Sequence, residues 1–320
     1  MDSRAGLSAQ ILNPNYGNGR HTIAETDGVM VAQLDLDRRI RETFSSPSYR
    51  PPVLPAVALD LMQVANSPDV TVPAVVAMLE KDPVLASGVL KLCKSPLHGG
   101  RGQVRSLKEA VVRLGLKLVR DVALEVAMNA RVFRADAYGE LMADLSSHSR
   151  ATAHVARIVC RYATWDAEYA FLAGLIHDIG IVTSLLVLNE LPRNIERPPL
   201  DIVIPSIAHE HEQRAEIVAR AWGMPDEVIW VIGHHHQIRS GSTVHPMSAI
   251  IAISDYMATR LGFGPFQRTP AETCGREMAP GMGHDETPLD QMKLAVETLS
   301  LSKQALDLIM KDAHKALAAY

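Results

Sequence analysis

His148, His177, Asp178, His211, His235, His236 and Asp255 are the residues of this 320-residue chain whose types and spacing suit shared chemistry. Nine of its 13 histidines lie between His148 and His245, less than a third of the length, so imidazole is concentrated where carboxylates also occur. Each of the seven falls on a predicted helix or at a helix end, within four or five consecutive helices. Side chains so placed can converge on one interior point, as in metal sites built inside helical bundles. Imidazole nitrogens mixed with carboxylate oxygens suit borderline divalent ions: Mn, Fe, Co, Ni or Zn. Water bound to such an ion can serve as a nucleophile near neutral pH. A neighbouring His-Asp pair alone is no more than a buried hydrogen-bonded pair. Its setting adds weight: Leu172-Ala173-Gly174-Leu175-Ile176 precedes it, and Ile179-Gly180 follows. Two polar side chains inside that apolar run need partners, since an unpaired buried group costs about 1–3 kcal/mol. His154, His209, His234 and His245 read as surface or core-edge residues.

The elements that must position this set are helical. Apolar stripes with a period near 3.6 recur at Val57/Leu61/Val64, Val72/Val75/Val76/Leu79 and Leu85/Val89/Leu92, and no useful strand-like alternation appears. The spacing predicts an all-α, two-lobed helical bundle. Residues 1–50 read as a polar leader with one short helix, Val29 to Phe44, whose apolar positions are Val31, Leu34, Ile40 and Phe44. Residues 51–140 form an N-terminal lobe, and 141–261 a second lobe holding the histidines. A Gly/Pro-rich linker spans 262–286, and C-terminal helices fill 287–320, with Thr287 as an N-cap. Within the second lobe one helix is predicted over 166–188, a loop over 192–205, and helices over 210–222, 226–235 and 246–261. Asp82-Pro83 and the capping box Ser106…Glu109 mark helix starts in the first lobe.

Composition narrows the function. No run of 18 purely apolar residues and no apolar leader segment are present, so a membrane span or secretory signal is not expected. Cys93, Cys160 and Cys274 stand far apart, which favours reduced thiols in a cytoplasmic protein. A net charge of −4 supplies no basic field, and 5% aromatic residues supply no base-stacking platform, so nucleic acid is not an expected partner. A helix–turn–helix look over 107–126, with Arg101, Arg105, Lys108, Arg113, Lys117 and Arg120 nearby, keeps DNA binding as the weakest reading.

Several pieces together resemble the HDOD family, bacterial signalling domains related to the HD superfamily of metal-dependent phosphohydrolases. They are Leu54-Pro55-Ala56-Val57-Ala58, Lys81-Asp82-Pro83-Val84-Leu85-Ala86, Ser106 to Gly115, His148-Ser149, the His177-Asp178 segment, His211 before Trp222-Gly223-Met224-Pro225, His234-His235-His236, and Ser254-Asp255. The resemblance covers roughly residues 50–260. It implies an HD-like second lobe and carries the pattern of H, HD, H, HH and D onto the seven residues above, with His234 as a substitute for one of the later pair. Two departures stand out. Active HD phosphohydrolases often have lysine directly after the HD-x-G stretch, where this chain has Ile181. A GYP-type signature after the histidine pair is replaced by Gln237-Ile238-Arg239-Ser240-Gly241. The implied function is a signal-transduction or regulatory protein acting through signalling proteins or a small-molecule or nucleotide ligand. The alternative the resemblance implies is an active phosphohydrolase on a nucleotide or cyclic dinucleotide, in which the metal polarises the phosphate and Asp178 is the catalytic candidate.

Overall fold

Punctuation in the sequence sets the first helices. Thr71 caps α3 (Val72–Leu79) by accepting from the Ala74 amide, and Asp82 caps α4 (Pro83–Cys93) by accepting from the Val84 and Leu85 amides. Ser106 accepts from the Glu109 amide to start α5 (Leu107–Leu114), while the Glu109 carboxylate accepts from the Arg105 amide. Gly115, at φ 75°, then turns the chain directly into α6 (Leu116–Arg131). α1 (Ile23–Ser45) and α2 (Ala56–Val64) come before these. The computed structural model describes residues 23–64, 69–94, 104–165, 169–190, 197–240, 243–266 and 288–318.

After a 3-10 turn at Asp136–Tyr138 comes α7 (Gly139–Ala163), the longest described helix, then α8 (Ala170–Ile176) and α9 (Ile179–Asn189). α10 (Leu200–Ala208), α11 (His211–Ala221), α12 (Asp226–Ile232) and α13 (Pro246–Arg260) surround them, and α14 (Pro288–Thr298) and α15 (Lys303–Leu317) pack on α13 and α7. The only strands among the described residues are β1 (Arg239–Ser240) and β2 (Thr243–Val244), an antiparallel pair with Arg239 opposite Val244. The chain is all-α, as its periodicity predicts.

Two hydrophobic clusters form. One holds Leu61, Leu79, Leu85, Val89, Val111 and Val122 from α2 to α6. The other runs from α1 through α7–α13 to α15, with Leu145, Phe171, Leu175, Val182 and Ile250 among its members. α6 serves both: Val119, Val122, Ala123 and Ala127 face the first, Leu124 and Met128 the second. Charge is buried along this same helix. Arg120 donates to the Asp121 carboxylate at 2.8 and 3.0 Å, and Glu125 lies 3.4 Å from His154 of α7. Arg120 is therefore no part of a solvated basic face, and His154 is interior rather than at the edge.

Several local expectations are corrected. The helix read over 166–188 is interrupted at His177-Asp178, where Asp178 adopts φ −92°, ψ 16°. Residues 166–168, 191–196, 241–242 and 267–287, with Arg101, Thr287 and Cys274, lie outside the described residues. Pro205 sits inside α10 rather than in a loop. α1 starts at Ile23, and its packed face is Leu36, Ile40 and Phe44; Leu34 is 62% exposed. Ala170–Asn189 is long and apolar enough to cross a membrane, yet 89% of it is buried inside the protein, which marks core packing.

Candidate metal centre

The break at His177-Asp178 is what lets neighbouring residues share a target. Successive residues of an α-helix diverge by about 100°, so in an unbroken helix the two side chains would face different directions. The tight packing around the break explains the flanking glycines. A Cβ on Gly174 would meet the Ala153 Cα at 2.8 Å, and one on Gly180 would meet the His211 carbonyl oxygen at 1.9 Å. α8 thus lies directly against α7, and α9 against the start of α11.

Three histidines stand just beyond helix C-termini and use the free carbonyls found there. The Nδ1–H of His177 donates to the Gly174 carbonyl at 2.9 Å, that of His211 to Ala208 at 2.6 Å, and that of His235 to Ile232 at 2.7 Å. His148, within α7, donates instead to the Phe263 carbonyl at 2.7 Å. A carbonyl only accepts, so each Nδ1 must carry a proton, and each Nε2 is the nitrogen that can take a further proton or a cation. Those Nε2 atoms point inward in two pairs, His148 with His177 and His211 with His235, each 3.2 Å apart. Facing lone pairs at that distance call for a proton or a cation between them.

Asp178 stands between the pairs. Its Oδ2 is 3.2 Å from His177 Nε2 and 3.4 Å from His148 Nε2; its Oδ1 is 3.6 Å from the Nε2 of both His211 and His235. Asp255 adds Oδ1 at 3.2 Å from His148 Nε2. The donor atoms of His148, His177 and Asp178 form one group within 4.8 Å of one another, and those of Asp178, His211, His235 and His236 form a second. The structure thus brings all seven sequence-predicted residues together. His234 turns away, donating Nδ1–H to the Trp230 carbonyl at 2.8 Å and stacking on that indole at 4.6 Å. Ile181 is only 4% exposed and packs in the core.

Electrostatics follow from the geometry. Burial opposes charge on His148, but the Asp178 and Asp255 carboxylates outweigh it and lift the imidazole to about 10. His235 rises to about 9 in the same way, against burial, through Asp178 and Glu212. Burial and the neighbouring histidine charge hold His211 and His236 below the usual imidazole range. Despite its burial, Asp178 stays well below the ordinary carboxylate range because His177, His148 and His235 surround it. The pocket gathers positive charge with or without an ion, and its donor set fits a borderline divalent cation.

One contributor escaped the sequence reading. Glu212 accepts from the His236 amide at 2.9 Å and lies 3.7 Å from His235 Nδ1. Its adjacency to His211 was the available signal, but charge on a helix start is too common to single it out. The carbonyls of Gly174, Ala208, Ile232 and Phe263 have no side-chain signature at all.

An all-α bundle enclosing a buried His/Asp cluster with two donor groups defines a class in which helix ends assemble a cation-type pocket. Residues 52–238 match the HDOD domain model, and the chain belongs to that family. Among curated relatives it is 26% identical over 233 residues to an uncharacterised protein of Treponema pallidum, covering 68% of this chain and 44% of that one. It is 27% identical over 158 residues to a ribonuclease Y of Thermus thermophilus, covering 49% of this chain and 22% of that one. The chain thus spans less than half the length of these relatives. Among solved structures, it resembles a candidate metal-dependent phosphohydrolase from Shewanella amazonensis, with TM-score 0.66, 18% identity, and 91% and 100% coverage of the two chains. It also resembles an HDOD domain protein of unknown function from Geobacter sulfurreducens, with TM-score 0.57, 20% identity, and 90% and 99% coverage. At these identities the likeness is one of fold.

Proposed function

We propose that this protein is a bacterial signal-transduction or regulatory domain whose His/Asp pocket binds divalent transition-metal ions, and that its output is contact with signalling proteins or a small-molecule or nucleotide ligand. The observation that carries the metal reading is the set of four imidazoles whose Nδ1–H groups are fixed on carbonyls while their Nε2 atoms face one another in pairs at 3.2 Å. Such outer hydrogen bonds fix the tautomer that a metal-ligating histidine needs. His148, His177, Asp178 and Asp255 would hold one ion; Asp178, His211, His235 and His236 would hold a second. The signalling reading is supported by family membership and by the fold shared with a candidate signal transduction protein from Marinobacter aquaeolei, at TM-score 0.57. The absence of lysine after the HD-x-G stretch and of the GYP-type signature also favours it.

A second reading, metal-dependent phosphoester hydrolysis on a nucleotide or cyclic dinucleotide, is favoured by one observation: Asp178 presents one oxygen to each donor group. A bound pair of divalent cations supplies Lewis acidity of the kind used in phosphoryl displacement. Within the chain, Asp178 would hold the two halves in register, while His236 and Asp255 line the more open edge from which a phosphate would enter. Elemental analysis of the purified protein, paired with a phosphodiesterase and phosphomonoesterase screen, separates the readings. Asp178→Ala should lower metal content, since it removes the carboxylate common to both groups. Stoichiometric metal without turnover supports the regulatory domain, and turnover that Asp178→Ala abolishes supports the enzyme. A wild-type protein that takes up no Mn, Fe, Co, Ni or Zn overturns both.

A further inference from the structure

His211 opens α11 from an unusual backbone position. The preceding residue, Glu210, has φ 55° and ψ 21°, a left-handed conformation that side chains other than glycine, asparagine and aspartate seldom adopt. Such a conformation persists only where surroundings enforce it. On one side, Gly180 lies against the His211 carbonyl so closely that a Cβ could not be accommodated. On the other side stands α1, with Arg41 169 positions away in sequence. Arg41 grips the Glu210 carboxylate with both prongs of its guanidinium, Nη2 to Oε1 at 2.8 Å and Nε to Oε2 at 3.1 Å. Buried Arg214 anchors the same turn: its Nη1 donates to the Ser206 and Ile207 carbonyls and the Ser184 hydroxyl, and its Nη2 lies 3.9 Å from Glu210. Asp37 of α1 also reaches His209, at 3.5 Å.

We infer that Arg41, on a helix preceding the family-matched residues 52–238, is a positioning residue for the pocket: through Glu210 it holds His211 in the orientation that points Nε2 at His235 and Asp178. An exposed ion pair by itself contributes little to stability. Arg41 is 56% exposed and Glu210 31%, so a role in stability alone would leave the Arg41→Ala fold almost unchanged. The bidentate geometry instead specifies direction. Without it the Glu210 backbone is free to relax toward the right-handed region, and that motion turns His211 off the Ala208 carbonyl.

This positioning role deepens the metal reading but has a readout independent of it. In the metal-free full chain, the ring nitrogens of His211 are followed by nitrogen-15 NMR. The wild type should show one protonated and one bare nitrogen, and Arg41→Ala should move both signals toward the tautomer average. Arg41→Lys should recover part of the wild-type pattern. Arg38→Ala serves as the control, because Arg38 pairs with Asp35 within α1 itself. Cobalt(II) titration of the same proteins provides the second readout. Arg41→Ala should weaken one of two binding events about tenfold, at the lower end of the range for outer-shell partners, and leave the other unchanged. Unmoved His211 signals in Arg41→Ala, or equal movement in Arg38→Ala, overturn the inference. Signals that move specifically in Arg41→Ala, in a protein that takes up none of Mn, Fe, Co, Ni and Zn, uphold the positioning role and overturn the metal reading instead.

Discussion

At the scale of single residues, the pocket is a competition between protons and cations. His148 near 10 and His235 near 9 carry protons at pH 7 in the cation-free protein, and each sits where an ion would need a lone pair. Metal uptake must therefore release protons, about two per molecule at pH 7 if both groups fill. The affinity should climb as pH rises from 7 toward 9. Titration calorimetry in buffers of different ionisation enthalpy reads the proton count directly, and a count of zero would contradict the assignment. Stability of the cation-free form has a definite sign. Both histidines have folded values above the unfolded value of about 6.5, so their contribution is complete below about pH 6.5 and is lost as pH rises through 9 to 10. The cation-free melting temperature should accordingly fall across that window.

At the scale of elements, the helix ends do more for the site than the helix faces. Gly180 illustrates how. A bare hydrogen is all that α9 has room for against the His211 backbone, and an added methyl would meet a carbonyl oxygen, which cannot rotate aside. Gly180→Ala should cost about 1–3 kcal/mol by overpacking, and should weaken metal uptake because α11 is displaced. Gly139→Ala is the matched comparison: a Cβ there meets nothing within 4 Å, so its effect should be neutral or favourable. Chemical denaturation of the two variants checks this, and equal stabilities would contradict the tight contact. The same elements show what sequence can and cannot reveal. The seven polar residues were legible because histidines and acids are rare in apolar helices, and the all-α class was legible from the 3.6-residue stripes. The break at His177-Asp178 was not, because Ala170 to Asn189 keeps a mostly apolar character and contains no proline. Pro205 misled in the other direction, since α10 tolerates it within its last turn. The buried face of α1 was misread because Leu34 and Leu36 both fit an apolar stripe, and only packing against α10 chooses between them. The Arg41–Glu210 pairing spans 169 positions and leaves no local trace.

At the scale of the whole molecule, α6 couples two cores. It donates one face to each cluster and buries an Arg120–Asp121 pair and Glu125 along the same stretch, so neither cluster can lose it cheaply. The indole of Trp222 adds a long-range tie by donating to the Pro52 carbonyl at 2.8 Å. The described lobes should then unfold in one calorimetric transition, and added metal should shift that whole transition upward. Two resolved transitions, with only the later one metal-sensitive, would show that α6 does not couple them. α8, α10 and α12 all direct their C-termini, with partial negative charge, toward the histidines that cap them, and Asp178 and Asp255 add full charges. In the cation-free pocket the protons on His148 and His235 do no more than offset those two carboxylates, so an anionic ligand gains little there, and divalent cations would tip the balance in its favour. Cations and an anion bound there together would be coupled reciprocally: whatever factor the ions add to the anion's affinity, the anion returns to theirs.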